Sequence, residues 1–325
     1  ELPIEIIIEI FEIAVYLSNE SAATISLVSS WARKIAVPHL FSTIVSHAAP
    51  LTPEEVANAS KSSQAPTSRT KLSPYLGGFV QHLWTERTGI SNIANEVDLF
   101  RACPNVEHLA LSSPSLQSLS MACRMHRKTS IVPAFPSSLR SITMITPTYR
   151  YEWHILVGVR VPNGGLLLHN ITHLRLLEMG AAAYAPHAHL PNLTHLAVPH
   201  LGDQTLAHDP VRLPDGVLQH RRIQMIVLTM DERNYLTTPW YEIRRLSWTS
   251  SGSSSSRKSY GLPRDGFREL VRRARQVDER LYVVLSPRVD QDACAEWEAA
   301  ARGGESIWET ALKAREDETY GMDLP

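Results

Sequence analysis

Histidine is the residue whose number and spacing most readily suggest chemistry in this chain, which contains 14 of them. The densest group comprises His187, His189, His195, His200 and His208. Imidazole nitrogens gathered in this way can hold a zinc ion. However, His108, His173 and His195 each precede a leucine at the same position of a repeated segment, where an outward-facing or locally bonded histidine is expected. We therefore expect neither a metal site nor a cofactor.

The other reactive residue types do not form a catalytic pattern. The chain has no phosphate-cradling glycine loop, no nucleophile elbow and no Cys-x-x-Cys pair. Cys123 and His126 are a lone pair of possible ligands, and the acidic pairs Asp231-Glu232 and Asp317-Glu318 do not point to a common site. We expect no catalytic residue and no small-molecule substrate, although an α/β hydrolase-like site assembled from distant residues remains an alternative.

Composition excludes several classes of partner. A formal net charge of -1 over 325 residues gives no general attraction to nucleic acid or to acidic membranes. The three cysteines are too few and too scattered for a disulfide framework, and no apolar run approaches the roughly 18 residues that suggest a membrane span. These features predict an intracellular protein in a reducing compartment, either the cytoplasm or the nucleus.

The first forty-odd residues predict a small helical module. Pro3 suits the first turn of a helix because its missing N–H would have no partner there, so a helix should begin at about Leu2 or Pro3. Apolar residues then recur at three- and four-residue steps on one face, at Ile6, Ile7, Ile10, Phe11 and Ala14. A second run extends from Ala22 to Val37. Three helices of this size cannot bury all of these side chains in one another, so a partner or the rest of the chain must cover the remainder.

Four motifs follow one another in this module: Leu2-Pro3-Ile4-Glu5, Ile10-Phe11, Leu27-Val28-Ser29-Ser30-Trp31 and Pro38-His39-Leu40-Phe41. Their order resembles the F-box, which ties a protein to the Skp adaptor of a cullin-type ubiquitin ligase. The resemblance covers about Glu1 to Val45. It implies an adaptor-binding surface formed or supported by Leu2, Pro3, Ile6, Ile10, Phe11, Leu27, Val28, Trp31, Leu40 and Phe41. Some of these must instead build the core of the module, and the sequence does not divide them.

The middle of the chain repeats itself. Residues 104–111 (Pro-Asn-Val-Glu-His-Leu-Ala-Leu) and 191–198 (Pro-Asn-Leu-Thr-His-Leu-Ala-Val) are nearly the same, and residues 170–176 repeat most of the pattern. Equivalent apolar positions are separated by 33, 32, 22 and 30 residues, at Leu109, Ile142, Leu174, Leu196 and Ile226. Such periods indicate stacked supersecondary units, each with a short strand. The pattern resembles leucine-rich repeats in irregular form, with a plain α/β domain as the alternative.

The C-terminal part is predicted to be a helical cap. A helical stripe comprises Phe267, Leu270, Val271, Ala274 and Val277, and a buried strand follows at Leu281 to Leu285. Helices are expected from Asp292 to Arg302 and from Ser306 to Arg315. The arginines largely outside the stripe, which are Arg268, Arg272, Arg273 and Arg275, either face solvent or hold an acidic partner.

The predicted fold class is therefore α/β, with an N-terminal three-helix F-box followed by an irregular leucine-rich-repeat-like stack of short parallel strands and helices. The predicted domains are an F-box-like helical module at 1–48, a linker at 49–75, and a repeat-like domain with its helical cap at 76–325.

The predicted function is that of a non-catalytic substrate receptor in a Skp/cullin/F-box ubiquitin ligase, with the Skp adaptor, the cullin complex and an unknown target protein as partners. Side-chain alternation places candidate target contacts between the strand leucines, at Glu107, Ala110, Thr172, Arg175, Thr194 and Ala197. The alternative in another class is a repeat-type interaction scaffold with no ligase role.

Overall fold

A computed structural model describes residues 3–46, 72–86, 93–124, 138–161, 163–179, 184–200, 211, 213–231, 263–286 and 292–316. Several residues considered above lie outside this part of the chain, namely Leu2, His126, His208, Glu232, Asp317, Glu318 and most of the 49–75 segment. None of the helices in the described ranges is long and apolar enough to cross a bilayer.

Three helices open the chain: α1 (Ile4–Leu17), α2 (Asn19–Val28) and α3 (Ser30–Leu40). Ser18 and Ser29 begin the second and third helices, because each serine hydroxyl accepts a hydrogen bond from the backbone N–H three residues later. The expected run from Ala22 to Val37 is therefore two helices that meet at Ser29, and this break leaves Val28 exposed.

The structure is α/β, with one sheet of eight short strands that neighbour each other in chain order. The strands are β1 (Thr43–Ser46), β2 (His82–Thr85), β3 (His108–Leu111), β4 (Ser141–Met144), β5 (His173–Leu176), β6 (His195–Pro199), β7 (Met225–Asp231) and β8 (Leu281–Ser286). The described pairings are parallel. The predicted short parallel strands are thus confirmed, and β1 is a strand that the sequence did not indicate.

The chain divides into two compact units, one of Glu1–Ile142 and Glu152–Asn170, the other of Thr143–Tyr151 and Ile171–Pro325. In the first unit, α4 (Pro74–Gly77) precedes β2, α5 (Ile93–Ala102) precedes β3, and α6 (Ser115–Arg124) follows β3. Leu83 of β2 is in register with Leu109 of β3, and both are buried. The N-terminal helices belong to this unit.

Helix α7 (Arg150–His154) is shared between the units, and a 3-10 turn at Leu167–Asn170 ends the first unit. The second unit contains a 3-10 turn at Pro186–His189 and three helices: α8 (Pro263–Val277), α9 (Asp292–Ala301) and α10 (Ile307–Glu316). The predicted register is confirmed, since one buried row runs through Leu174, Leu196, Ile226 and Leu281. The two final helices and the strand before them are also confirmed. Val277 departs from the predicted buried stripe because it is the last residue of α8, where it is 46% exposed.

Close packing of α4 against α5 gives a stability prediction for the first unit. A Cβ on Gly77 would lie 1.9 Å from the carbonyl oxygen of Ala102, whereas a Cβ on Gly78 would meet nothing closer than 3.4 Å. We expect Gly77→Ala to lower the free energy of unfolding by about 1–3 kcal/mol, because backbone atoms must move apart to make room. Urea denaturation followed by circular dichroism measures this. Gly78→Ala is the matched control, and equal effects of the two changes would contradict the packing.

Candidate protein-binding surfaces

The N-terminal helices carry apolar side chains on their outer surface. Leu27 is 77% exposed and Val28 62% exposed at the end of α2, and Trp31 is 38% exposed in α3. On α1, Ile6 and Ile10 are also exposed. Large apolar side chains gathered in this way on a short segment are typical of a surface that another protein covers. All five belong to the set that the F-box resemblance assigned to adaptor binding.

Two other members of that set, Phe11 and Leu40, pack against the core of the three helices. Its buried residues are Val15, Ala22, Ile25, Ala32 and Ala36, and Phe11, Ala14 and Leu40 pack against them. The ring of Phe11 stacks on Trp31 with 5.3 Å between centroids and 9° between planes. Phe11 and Leu40 therefore support the module from within, while Phe41 is half-buried and Pro3 is exposed.

Sequence reasoning missed part of this outer surface. Ile4, Ile13 and Tyr16 of α1 are exposed as well. The sequence could have indicated this surface, because Ile6, Ile10 and Ile13 follow one another at the four- and three-residue steps of a single helix face. The predicted single face of α1 is in fact two faces, since Ile6 and Ile10 point outward while Phe11 and Ala14 pack inward.

The six candidate target contacts on the strands lie in different environments. Glu107 is exposed before β3. Ala110 and Ala197 are fully buried. In the second unit, Ala197 joins Met225, Val227 and Val284 in a cluster with Ile307 and Ala311 of α10, and Trp308 packs against it. Helix α10 thus covers the strand face on which Ala197 lies.

Arg175 lies on the same face and is engaged by α9. Its row continues through Ala197 and Val227 to Tyr282. The Arg175 guanidinium donates two hydrogen bonds to the Glu296 carboxylate, both 2.9 Å long, and Arg175 is only 6% exposed. A bidentate pair of this kind is among the stronger side-chain interactions. The structure therefore places Arg175 in an internal contact of the chain.

Thr172 and Thr194 support a stacked pair of histidines. The Thr194 hydroxyl donates to the Thr172 carbonyl at 3.0 Å, and each threonine oxygen lies within 2.9 Å of the Nδ1 atom of the histidine that follows it. His173 and His195 stack at 4.3 Å between centroids, and the edge of Trp308 approaches both rings. The expectation of locally bonded histidines at these positions is confirmed.

This arrangement fixes the hydrogen-bonding role of His195. Because the Thr194 proton goes to the Thr172 carbonyl, the His195 Nδ1 atom is the donor towards Thr194, so His195 does not act as a base on that hydroxyl. Burial raises the pKa of Cys103 and of Cys123 to about 12, which keeps both thiols protonated near neutral pH. Within the described ranges, no three His, Cys, Asp or Glu side chains are grouped to hold a metal ion.

No family model matches the chain, and no curated protein matches it.

The pair between Arg175 and Glu296 gives a second stability prediction. Glu296→Ala leaves a buried guanidinium without its carboxylate, and we expect it to lower the free energy of unfolding by about 3 kcal/mol. Glu298→Ala is the control on the same helix, because the pair between Glu298 and Arg302 is partly exposed and should change stability by less than about 0.5 kcal/mol. Denaturant unfolding compares them. Equal losses of stability in the two variants would contradict a stabilising role for the pair between Arg175 and Glu296.

The stacked histidines predict a pH dependence of stability. Burial lowers the pKa of His195 below its ordinary value of 6.5, and the pKa of His108 and of His187 is lowered for the same main reason. Below pH 6.5 the unfolded chain therefore binds more protons than the folded chain. The contribution of these neutral histidines to the free energy of unfolding is complete above that pH, and it is lost as the pH falls through their pKa in the folded protein.

We expect the free energy of unfolding to fall between about pH 7 and about pH 5, and His195→Asn to reduce the slope. His154→Asn, which alters an exposed side chain, is the control. Urea titrations over this range measure the slope. An unchanged slope in His195→Asn would contradict the assignment.

Proposed function

We propose that this chain is a substrate-receptor subunit of a Skp/cullin/F-box ubiquitin ligase, acting in the cytoplasm or the nucleus. The observation that carries the proposal is the apolar outer surface of α1, α2 and α3. Leu27 is the most exposed member of that surface and Val28 is 62% exposed, and both belong to a motif in which the F-box resemblance was identified. A folded helical module that leaves such residues in water is suited to a permanent partner.

Covering this surface would contribute favourably to the free energy of binding. Burial of a wholly exposed Leu, Val or Ile side chain contributes about 1.5–3 kcal/mol, and six partly exposed positions would each supply a fraction of that amount: Ile4, Ile6, Ile10, Ile13, Leu27 and Val28. Binding also has unfavourable terms, because two molecules lose translational and rotational freedom. Because Phe11 already stacks on Trp31, these two side chains lose less conformational entropy when a partner binds.

The rest of the chain would hold a target protein. In this proposal the ligase acts by proximity, since the receptor brings a target lysine towards a ubiquitin-conjugating enzyme held elsewhere in the complex. The repeat-like part would then need exposed surface for the target. Helices α9 and α10 cover Arg175 and Ala197, so these two residues are not available to a target.

Calorimetry of the purified chain with the Skp adaptor of its host tests the proposal. We expect tight binding by the intact chain, and a loss of about tenfold or more in the double variant Leu27→Ala/Val28→Ala, which corresponds to about 1.4 kcal/mol or more. Both side chains are largely in water, so their removal should leave the fold intact. Circular dichroism verifies this.

Tyr75→Ala is the matched control for that measurement, because Tyr75 is 70% exposed but lies in α4, outside the N-terminal helices. It should bind the adaptor as the intact chain does. No binding by the intact chain, or equal affinity of the double variant, would contradict the proposal and leave a repeat-type scaffold as the better account.

A further inference from the structure

A shallow cleft lies between α8, β8 and α10 in the second unit. Its lining residues are Val271, Arg275, Leu281, Tyr282, Val283, Ala311, Ala314 and Arg315. The apolar members form its floor, since Leu281, Val283 and Ala311 are buried and Val271, Tyr282 and Ala314 are half-buried. The two arginines are exposed. The cleft is therefore too small to admit a side chain, and the two arginines are the part of its lining that a partner can reach.

Hydrogen bonds to neutral groups hold the two arginines in place. The Arg275 guanidinium donates to the Arg315 carbonyl at 3.1 Å, and Arg315 donates to the Tyr282 hydroxyl at 2.7 Å and to the Glu279 carbonyl at 3.3 Å. The Arg315 guanidinium also lies over the Tyr282 ring, 5.1 Å from its centroid. These contacts fix the positions of the cations without neutralising them.

Four other cations of the same unit are paired with carboxylates. Glutamate or aspartate oxygens lie within 2.9 Å of Arg175, Arg280, Arg302 and Lys313. Among the side chains that the structure describes, no carboxylate forms an ion pair with Arg275 or Arg315. Each guanidinium has five N–H donors, of which the internal contacts use only some. The remaining donors are available to an anion.

The charge of α8 extends this preference beyond the cleft. Arg268, Arg272 and Arg275 follow one another at the four- and three-residue steps of one helix face, and all three are exposed. The whole chain has a formal net charge of -1, so this positive face is a local feature. An extended acidic segment would be attracted along α8 as well as to the cleft.

We propose that this cleft binds a short acidic segment of a partner protein, with carboxylates on Arg275 and Arg315. The inference deepens the proposed function and rests on it in one respect, because in a substrate receptor this partner is the target. The two positive charges select a peptide rich in Glu or Asp.

Fluorescence anisotropy with the full-length chain tests the inference. The probe is a fluorescein-labelled peptide in which Glu alternates with Ser, and the comparison peptide has Lys in place of Glu. We expect binding of the acidic peptide only. The double variant Arg275→Gln/Arg315→Gln should weaken it by about tenfold, which corresponds to about 1.4 kcal/mol. Binding to the unmodified chain should weaken as sodium chloride is raised, because salt screens exposed charges.

Lys313→Gln is the matched control, since it removes a positive charge from α10 that is already paired with Glu305. It should leave peptide affinity within about twofold. The salt series on the unmodified chain tests the proposal even if the double variant does not fold. No binding of the acidic peptide, equal binding of the lysine peptide, or affinity insensitive to both salt and substitution would overturn the inference.

Adaptor binding measured on the same samples separates this inference from the proposed function. The double variant should bind the Skp adaptor as the intact chain does, because the cleft belongs to a different unit from the N-terminal helices. Adaptor binding without peptide binding would refute the cleft assignment alone. Peptide binding without adaptor binding would refute the ligase role and keep the cleft as a site for acidic segments.

Discussion

Parallel strands have to be covered on both faces, and this requirement organises most of the second unit. One face carries the buried row of Leu174, Leu196, Ile226 and Leu281. The other face is apolar at Val227 and Val284 and carries the cation of Arg175. Helix α10 covers the apolar part, and Glu296 of α9 supplies the opposite charge. The C-terminal helices are therefore part of the core of this unit.

The N-terminal helices show the opposite situation. Their core is small, consisting largely of alanines with Val15 and Ile25, and the larger side chains of Ile10, Leu27 and Trp31 remain in water. Short helices with so little internal packing gain much of their stability from what they contact. The same chain thus covers its sheet with its own helices and leaves apolar side chains of its first helices exposed. This contrast is the physical basis of the adaptor-binding proposal.

Local patterns predicted the elements of the fold better than the contacts between them. The Thr-His-Leu segments fixed the register of β5 and β6, because the same residues recur at the same place in each strand. The division of α1 into inner and outer faces could not be predicted, since isoleucines surround the helix and its inner face depends on packing with other helices, including the stack of Phe11 on Trp31. Glu296 is 121 residues away from Arg175, and nothing local to either residue signals their pairing.

The central claim is that the outer surface of the first three helices is the adaptor-binding surface, and hydroxyl-radical footprinting of the full chain tests it most directly. Labelling is compared with and without a saturating amount of the Skp adaptor and read by mass spectrometry. The account predicts protection of Ile10, Leu27, Val28 and Trp31, with Tyr75 and Tyr151 labelled equally in both samples. Equal labelling of the first four residues, or protection confined to the tyrosines, would contradict it.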